Sequence, residues 1–429
     1  MAAEGFIQFI WKHRLYIGNS LSTTCGQPLE ILHPGEQNSH AGPDFFNARI
    51  RLDQMVWAGN VEVHGRASDW YSHRHHLDPA YNNVILHVVG EYDTDVTNSR
   101  GRRIQTMVPD YPESLVQRHD VLKRSENWLP CADYIKGISV HKQNVWLSSL
   151  QSERVAQKGT RIEQILNTPA LSLDEALYLT LASGYGLPVN TLPFELLAKG
   201  IPFSFLIDHR DSLQDLESIL FGHSGMLFPA RELGPYPSSL WNRYTELKDS
   251  IPEKPLPRHL WRFLRLRPAS FPTLRISQFA SLIHNCVSLT ENILGTNSMA
   301  EMELIFRTGA SEYWNGHYLF GRCSPLFPKF PGEQFISTLI INVLVPFLYA
   351  LEKNGDRSVT GIRASEILIR LKAESNQLIR KWASIGIRPK NAMESQALLQ
   401  LYNVYCKQKR CLDCQIGADS IKAAIHEKK

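Results

Sequence analysis

From Phe46 to Leu52, and again at Val61 and Val63, apolar side chains recur at every second position, whereas from about residue 140 onward they recur at every third or fourth. The first spacing belongs to half-buried strands and the second to amphipathic helices, so one architecture cannot serve the whole chain. The 429 residues are therefore read as α+β, a mixed-sheet α/β domain over 1–138 followed by a large all-helical domain over 139–429. That length, with 43% hydrophobic residues, is enough to bury two cores.

In the first part the spacing predicts a helix over 5–17, a strand at "PLEILHP", and a hairpin of "FFNARIRL" and "VWAGNVEVH" turning at Asp53-Gln54. Phe46, Ala48, Ile50 and Leu52 would share the core face of the first hairpin strand. "SDWYSHRHHLDPAYNN" reads as a short helix begun by Ser68 or Asp69 and stopped near Asp78-Pro79. "NVILHVVGEYD" is apolar on both faces, as a central strand covered on both sides would be, and "RRIQTMVP" suits an edge.

In the second part "SLDEALYLTLASGYG" carries a capping-box pattern at Ser172 and Glu175. The apolar run Phe335–Glu352 includes Ser337, Thr338, Asn342 and Pro346 and falls short of the ~20 residues of a membrane span, so a kinked core helix is expected. The N-terminus lacks the design of a signal peptide, and seven cysteines form no regular disulfide framework. Both features point to the cytoplasm and away from a membrane. Residues 1–145 hold 14 basic and 16 acidic side chains and ten of the sixteen histidines; the remainder holds 32 basic and 26 acidic. A His-rich, slightly acidic part thus precedes a mildly basic one, compatible with a catalytic domain beside one that binds a polyanion.

The hairpin raises the chemical question. Asn60, Glu62 and His64 alternate with Val61 and Val63 and so share a strand face, while Asp44 opens the neighbouring strand. Adjacent strands lie ~5 Å apart, so the two carboxylates can approach one another, and either a proton or a hard divalent cation relieves their repulsion. Bound Mg²⁺ or Mn²⁺ would activate water and neutralise a phosphodiester, with His64 placed to orient or deprotonate that water. The alternative for the same residues is a turn acid followed by a solvated strand face.

These residues, "PDF…VEVH", resemble the Pro-Asp…(Asp/Glu)-x-Lys signature of the restriction-endonuclease-like (PD-(D/E)XK) nuclease superfamily. The resemblance implies an αβββαβ core over about the first hundred residues. It further implies Asp44 and Glu62 as metal ligands, Val63 as a carbonyl donor, and His64 in the position of the lysine that assists the nucleophilic water. Glu4 or Glu36 would supply the acid that members often carry on or near the first helix. Histidine departs from the pattern, being shorter than lysine and itself able to ligate a metal. Over most of its length the chain also resembles a family of uncharacterised bacterial proteins, through "AGPDF", "GNVEVH", "SDWYSHRHHLDPAYNNVILHVV", "PFELLA" and "LFGHSGML".

Three further groups bear on function. On a continuous helix Asp69, His73 and His76 would line one face and, with Glu62 and His64, could make a Zn²⁺ site; His87, inside an apolar strand, reads as a core histidine. Arg258, Arg262 and Arg265 interleave with Trp261 and Phe263 at helical spacing, which suits nucleic-acid contacts or, equally, pairing with acids. Cys411-x-x-Cys414 with Cys406 resembles half of a zinc site, to which His426 or Cys323 could add ligands. The expectation is a Mg²⁺- or Mn²⁺-dependent nuclease. The alternatives are an inactive nuclease-fold scaffold for nucleic acid or a protein partner, and a zinc hydrolase built on the histidines.

Overall fold

The computed structural model describes residues 3–18, 21–169, 171–228, 234–296, 298–355 and 364–426. The chain divides into two compact units, one of residues 1–140 with 401–429 and one of 141–400. The C-terminal stretch, which helical periodicity groups with the second part, therefore belongs to the first unit.

The first unit is a mixed sheet with helices. Helix α1 (Glu4–His13) is followed by strands β1 (Leu21–Ser22), β2 (Pro28–His33), β3 (Glu36–Gln37), β4 (Phe45–Leu52) and β5 (Met55–Arg66). Then come the one-turn helix α2 (Asp69–Ser72), two 3₁₀ turns, and strands β6 (Val84–Glu91) and β7 (Gln105–Met107). The strand order is β1-β2-β4-β5-β6-β7, with β3 also paired to β4. Strands β2, β4 and β5 run antiparallel, whereas β5, β6 and β7 run parallel.

The β4–β5 hairpin closes on a two-residue turn, with Asp53 in the left-handed region at φ 52° and Leu52 opposite Met55. One register expectation is corrected here. A bulge between Phe45 and Ala48, with Asn47 at φ 57°, sends Phe45 rather than Phe46 into the core beside Ala48, Ile50 and Leu52. Beyond the bulge Phe45 is the register partner of Val61, so Asp44, its chain neighbour, lies beside the Val61–Val63 stretch of β5. Strand β6 is covered on both sides, as its sequence demands. Ile7 and Trp11 of α1 pack with Val61, Val63, Leu86 and Val88, while Trp70 and Tyr81 form a second cluster with Val84, Val96 and Ile104.

The second unit is helical around an extended apolar core. Ser172 caps its helix by accepting from the Glu175 amide at 3.1 Å, but the Glu175 carboxylate accepts from the Phe203 amide at 2.9 Å instead of completing the capping box. The apolar run lies within Glu333–Lys353, the one helix among the described residues that is long and apolar enough to cross a membrane, and it is mostly buried. It passes through a π turn at Ile340–Leu344 just before Pro346.

Candidate active site

Glu62 and His64 sit on the face of β5 that α2 and the following turns cover, and both are buried, at 5% and 1% exposure. This is the face that alternation assigns to polar residues, so the sheet buries a carboxylate and an imidazole where apolar side chains would be cheaper. The acids meet across the hairpin. The Asp44 amide donates to Glu62 Oε2 at 3.0 Å, and the Val63 amide donates to Asp44 Oδ2 at 3.0 Å. Each carboxylate thus leans on the other's strand, and their charges face one another.

Histidines close the other side of Glu62. Its Oε1 lies 3.5 Å from His64 Nε2 and 3.3 Å from His75 Nε2. His64 Nε2 is also 3.1 Å from His73 Nδ1, and its Nδ1 is 2.8 Å from Nε2 of His87, a fully buried residue. Ligand atoms of His64, His73 and His75 all fall within 4.8 Å of one another. His73 is exposed, which opens the group to solvent on that side.

The local backbone explains which histidines arrive. Helix α2 ends at Ser72, and Arg74 turns left-handed at φ 62° before a 3₁₀ turn at His75–Leu77. The continuous helical face of Asp69, His73 and His76 therefore does not form. The turn brings in His75, stacked on Tyr81 at 3.8 Å between ring centroids, and leaves His76 against Tyr71. Asp69 stays nearby, its carboxylate accepting from the Arg66 amide at 2.8 Å.

Burial, followed by the neighbouring Glu62 charge, lifts the Asp44 carboxyl to about 7, against hydrogen bonds from the Val63 amide and Gln8 that favour the charged form. Burial, then His75 and His73, pushes His64 down to about 3, and His87 is driven well below its ordinary value. Glu4, at the start of α1, is raised by burial and interacts with Glu62, Asp69, His73 and His75. Glu36 is exposed on β3, so of the two candidate helper acids Glu4 is the one at this site. Neutral imidazoles beside crowded carboxylates are the state a cation would occupy.

Other predicted positions lie elsewhere. Asn60 is half-buried at a register shift between β5 and β6, and among the described residues no side-chain hydrogen bond ties it to the acids. Arg258 begins a 3₁₀ turn after Pro257, and Arg265 is left-handed at φ 64°, so Arg258, Arg262 and Arg265 do not share a helical face. Arg258 packs over the Phe228 ring in the second unit. Cys323, also in that unit, lies beside His317. His75, His87, Gln8 and Tyr81 are the site neighbours that spacing does not reveal; for His87 the signal was a lone histidine in an otherwise apolar central strand.

The profile of one family, described as protein of unknown function (DUF2851), matches residues 4–377 and so nearly the whole chain. The chain belongs to the DUF2851 family. The matched span takes in Glu4, Asp44, Glu62 and all four clustered histidines. No curated protein and no solved structure matches the chain.

Proposed function

We propose that this DUF2851 protein is a metal-dependent phosphodiester hydrolase of the restriction-endonuclease-like kind, acting on nucleic acid. The convergence of Asp44 and Glu62 carries this reading. A buried carboxylate on β5 and a half-buried one at the head of β4 repel unless a proton or a divalent cation sits between them, and Mg²⁺ or Mn²⁺ held there would present an activated water to phosphorus. Val63 would add its carbonyl and Glu4 a further acid. His64 stands where the superfamily places lysine and, held neutral, serves as a base or a ligand.

The test is cleavage of single- and double-stranded DNA and RNA with Mg²⁺ or Mn²⁺. Asp44→Ala and Glu62→Ala should each abolish it while circular dichroism shows an intact fold. Cleavage that survives either change removes the proposed site. His64→Lys should retain or raise activity if the imidazole replaces the lysine.

A second reading draws support from the nitrogens of His64, His73 and His75, which lie close enough together to bind one ion. With Glu62 they would complete a Zn²⁺ site of the sort that hydrolases use. For that chemistry His64 Nδ1–H must donate to His87 Nε2, freeing Nε2 for the metal. Histidine-bound zinc in the purified protein favours this reading over the first. Binding of nucleic acid without turnover under any metal would leave a silent scaffold.

A further inference from the structure

Four of the five cysteines of the first unit form a second group, apart from the acids and histidines, while Cys25 is exposed elsewhere. Cys131 lies at 8% exposure at the start of the helix Ala132–Lys136, Cys406 at 7% at the end of a π turn, and Cys411 and Cys414 at 8% and 6% in the turn before the helix Gln415–Ala423. Two segments far apart in sequence are pinned together here. Lys409 Nζ donates to the carbonyls of Lys123, at 3.1 Å, and Ser125, while Trp128 packs against Tyr402 with ring centroids 6.0 Å apart. The turn is tightly formed, with the Lys409 amide donating to Cys406 O at 3.1 Å and the Cys414 amide to Arg410 O at 3.2 Å. A side chain at Gly417 would collide with Cys411 O, so the helix starts directly against this turn.

The thiols are close enough to interact electrostatically: Cys131 with Cys411 and Cys414, and Cys406 with Cys131, Cys411 and Cys414. Among the described residues no three of these sulfurs lie within 4.8 Å of one another, whereas two sulfurs held ~2.3 Å from a single zinc ion are at most ~4.6 Å apart. We propose that Cys131, Cys406, Cys411 and Cys414 together hold an iron–sulfur cluster, whose several irons span more widely spaced thiolates. Neither Cys323 nor His426 is needed, because Cys131 supplies the fourth ligand. Four thiolates are the usual donor set of an iron–sulfur cluster, and the Cys-x₄-Cys-x₂-Cys run is a spacing found at such clusters. A cation supplies the positive charge that lets these thiols ionise, and binding releases their protons. The centre would fasten the C-terminal segment to residues 125–131 of the same unit.

The full chain, purified without oxygen or chelator, should carry iron with acid-labile sulfide and visible charge-transfer absorption. X-ray absorption at the iron edge should show sulfur ligation, which separates this centre from a metal on the histidines, and sulfur-bound zinc in place of iron would overturn the proposal. Cys131→Ser, Cys406→Ser, Cys411→Ser and Cys414→Ser should each lose that signal, whereas Cys286→Ser should keep it. The proposal fails if the native protein holds no sulfur-ligated metal, if mass spectrometry finds these cysteines paired as disulfides, or if Cys131→Ser keeps the full metal content. The absorption measurement needs no variant, so misfolding of a mutant cannot obscure the result.

Discussion

Glu62 and Glu217 are both buried acids, one in each unit, at 5% and 1% exposure. Around Glu217 every neighbour is a donor. Tyr236 donates to its Oε2, Ser311 to Oε1 at 2.9 Å, and Trp314 to Oε1 at 3.3 Å. Around Glu62 a single backbone amide donates, and the remaining company is another carboxylate and two imidazoles. His87 Nδ1, at the back of the same group, is buried with no hydrogen-bond partner. Donors satisfy the buried acid of the second unit, whereas that of the first sits among a second carboxylate and a cluster of imidazoles. Buried polar groups are normally paired, and the unpartnered His87 Nδ1 beside the crowded acids is what the proposed metal site draws on.

That contrast makes its strongest claim on stability. Glu217→Ala would strand three donors and should cost about 3 kcal/mol or more in denaturant unfolding. Glu62→Gln in metal-free protein should be neutral or stabilising, since it removes a charge that faces Asp44. Equal losses at the two positions would break the comparison.

The histidines sharpen it further. His75→Ala should weaken metal binding by at least about 10- to 100-fold in calorimetry, whereas His76→Ala should leave it unchanged. The reverse outcome would mean that the chain follows a continuous helix rather than the turn at Arg74.

A smaller effect is expected from pH. The Asp44 pKa is raised from its ordinary 3.8 to about 7, so its contribution to stability is full below about pH 4 and is lost as pH rises to 7. His64 is lowered from 6.5 to about 3, so its contribution is present above 6.5 and lost as pH falls toward 3. The two slopes oppose each other in between. In metal-free protein Asp44→Asn should therefore stabilise by on the order of 1–2 kcal/mol near neutral pH, once its partial exposure is discounted, and by nothing near pH 4. Thermal melts across that range check the sign. The smallest effect should be that of Glu36→Gln, within about 0.5 kcal/mol, as for an ordinary surface position.

Much of the hairpin was legible in advance because its geometry is local. A two-residue turn at Asp53-Gln54 sets the pairing, and strand alternation puts Glu62 and His64 on one face whatever the rest of the chain does. The bulge at Phe46-Asn47 was not legible, since alternation continues through it in the sequence. Helical spacing likewise misjudged two polar stretches, at Asp69–His76 and at Arg258–Arg265, where a left-handed residue breaks each run.

The sequence by itself determined the change from strand to helical periodicity, the two acids on neighbouring strands and the polar face that β5 presents. These follow from side-chain direction over a few residues, which needs no distant partner. Only the tertiary structure decided that this face is covered, that His75 and His87 join it while His76 does not, that Glu4 rather than Glu36 lies near, and that Cys131 lies near the C-terminal cysteines. Each of those facts depends on backbone turns or packing between segments far apart in the chain, and residue spacing carries no record of either.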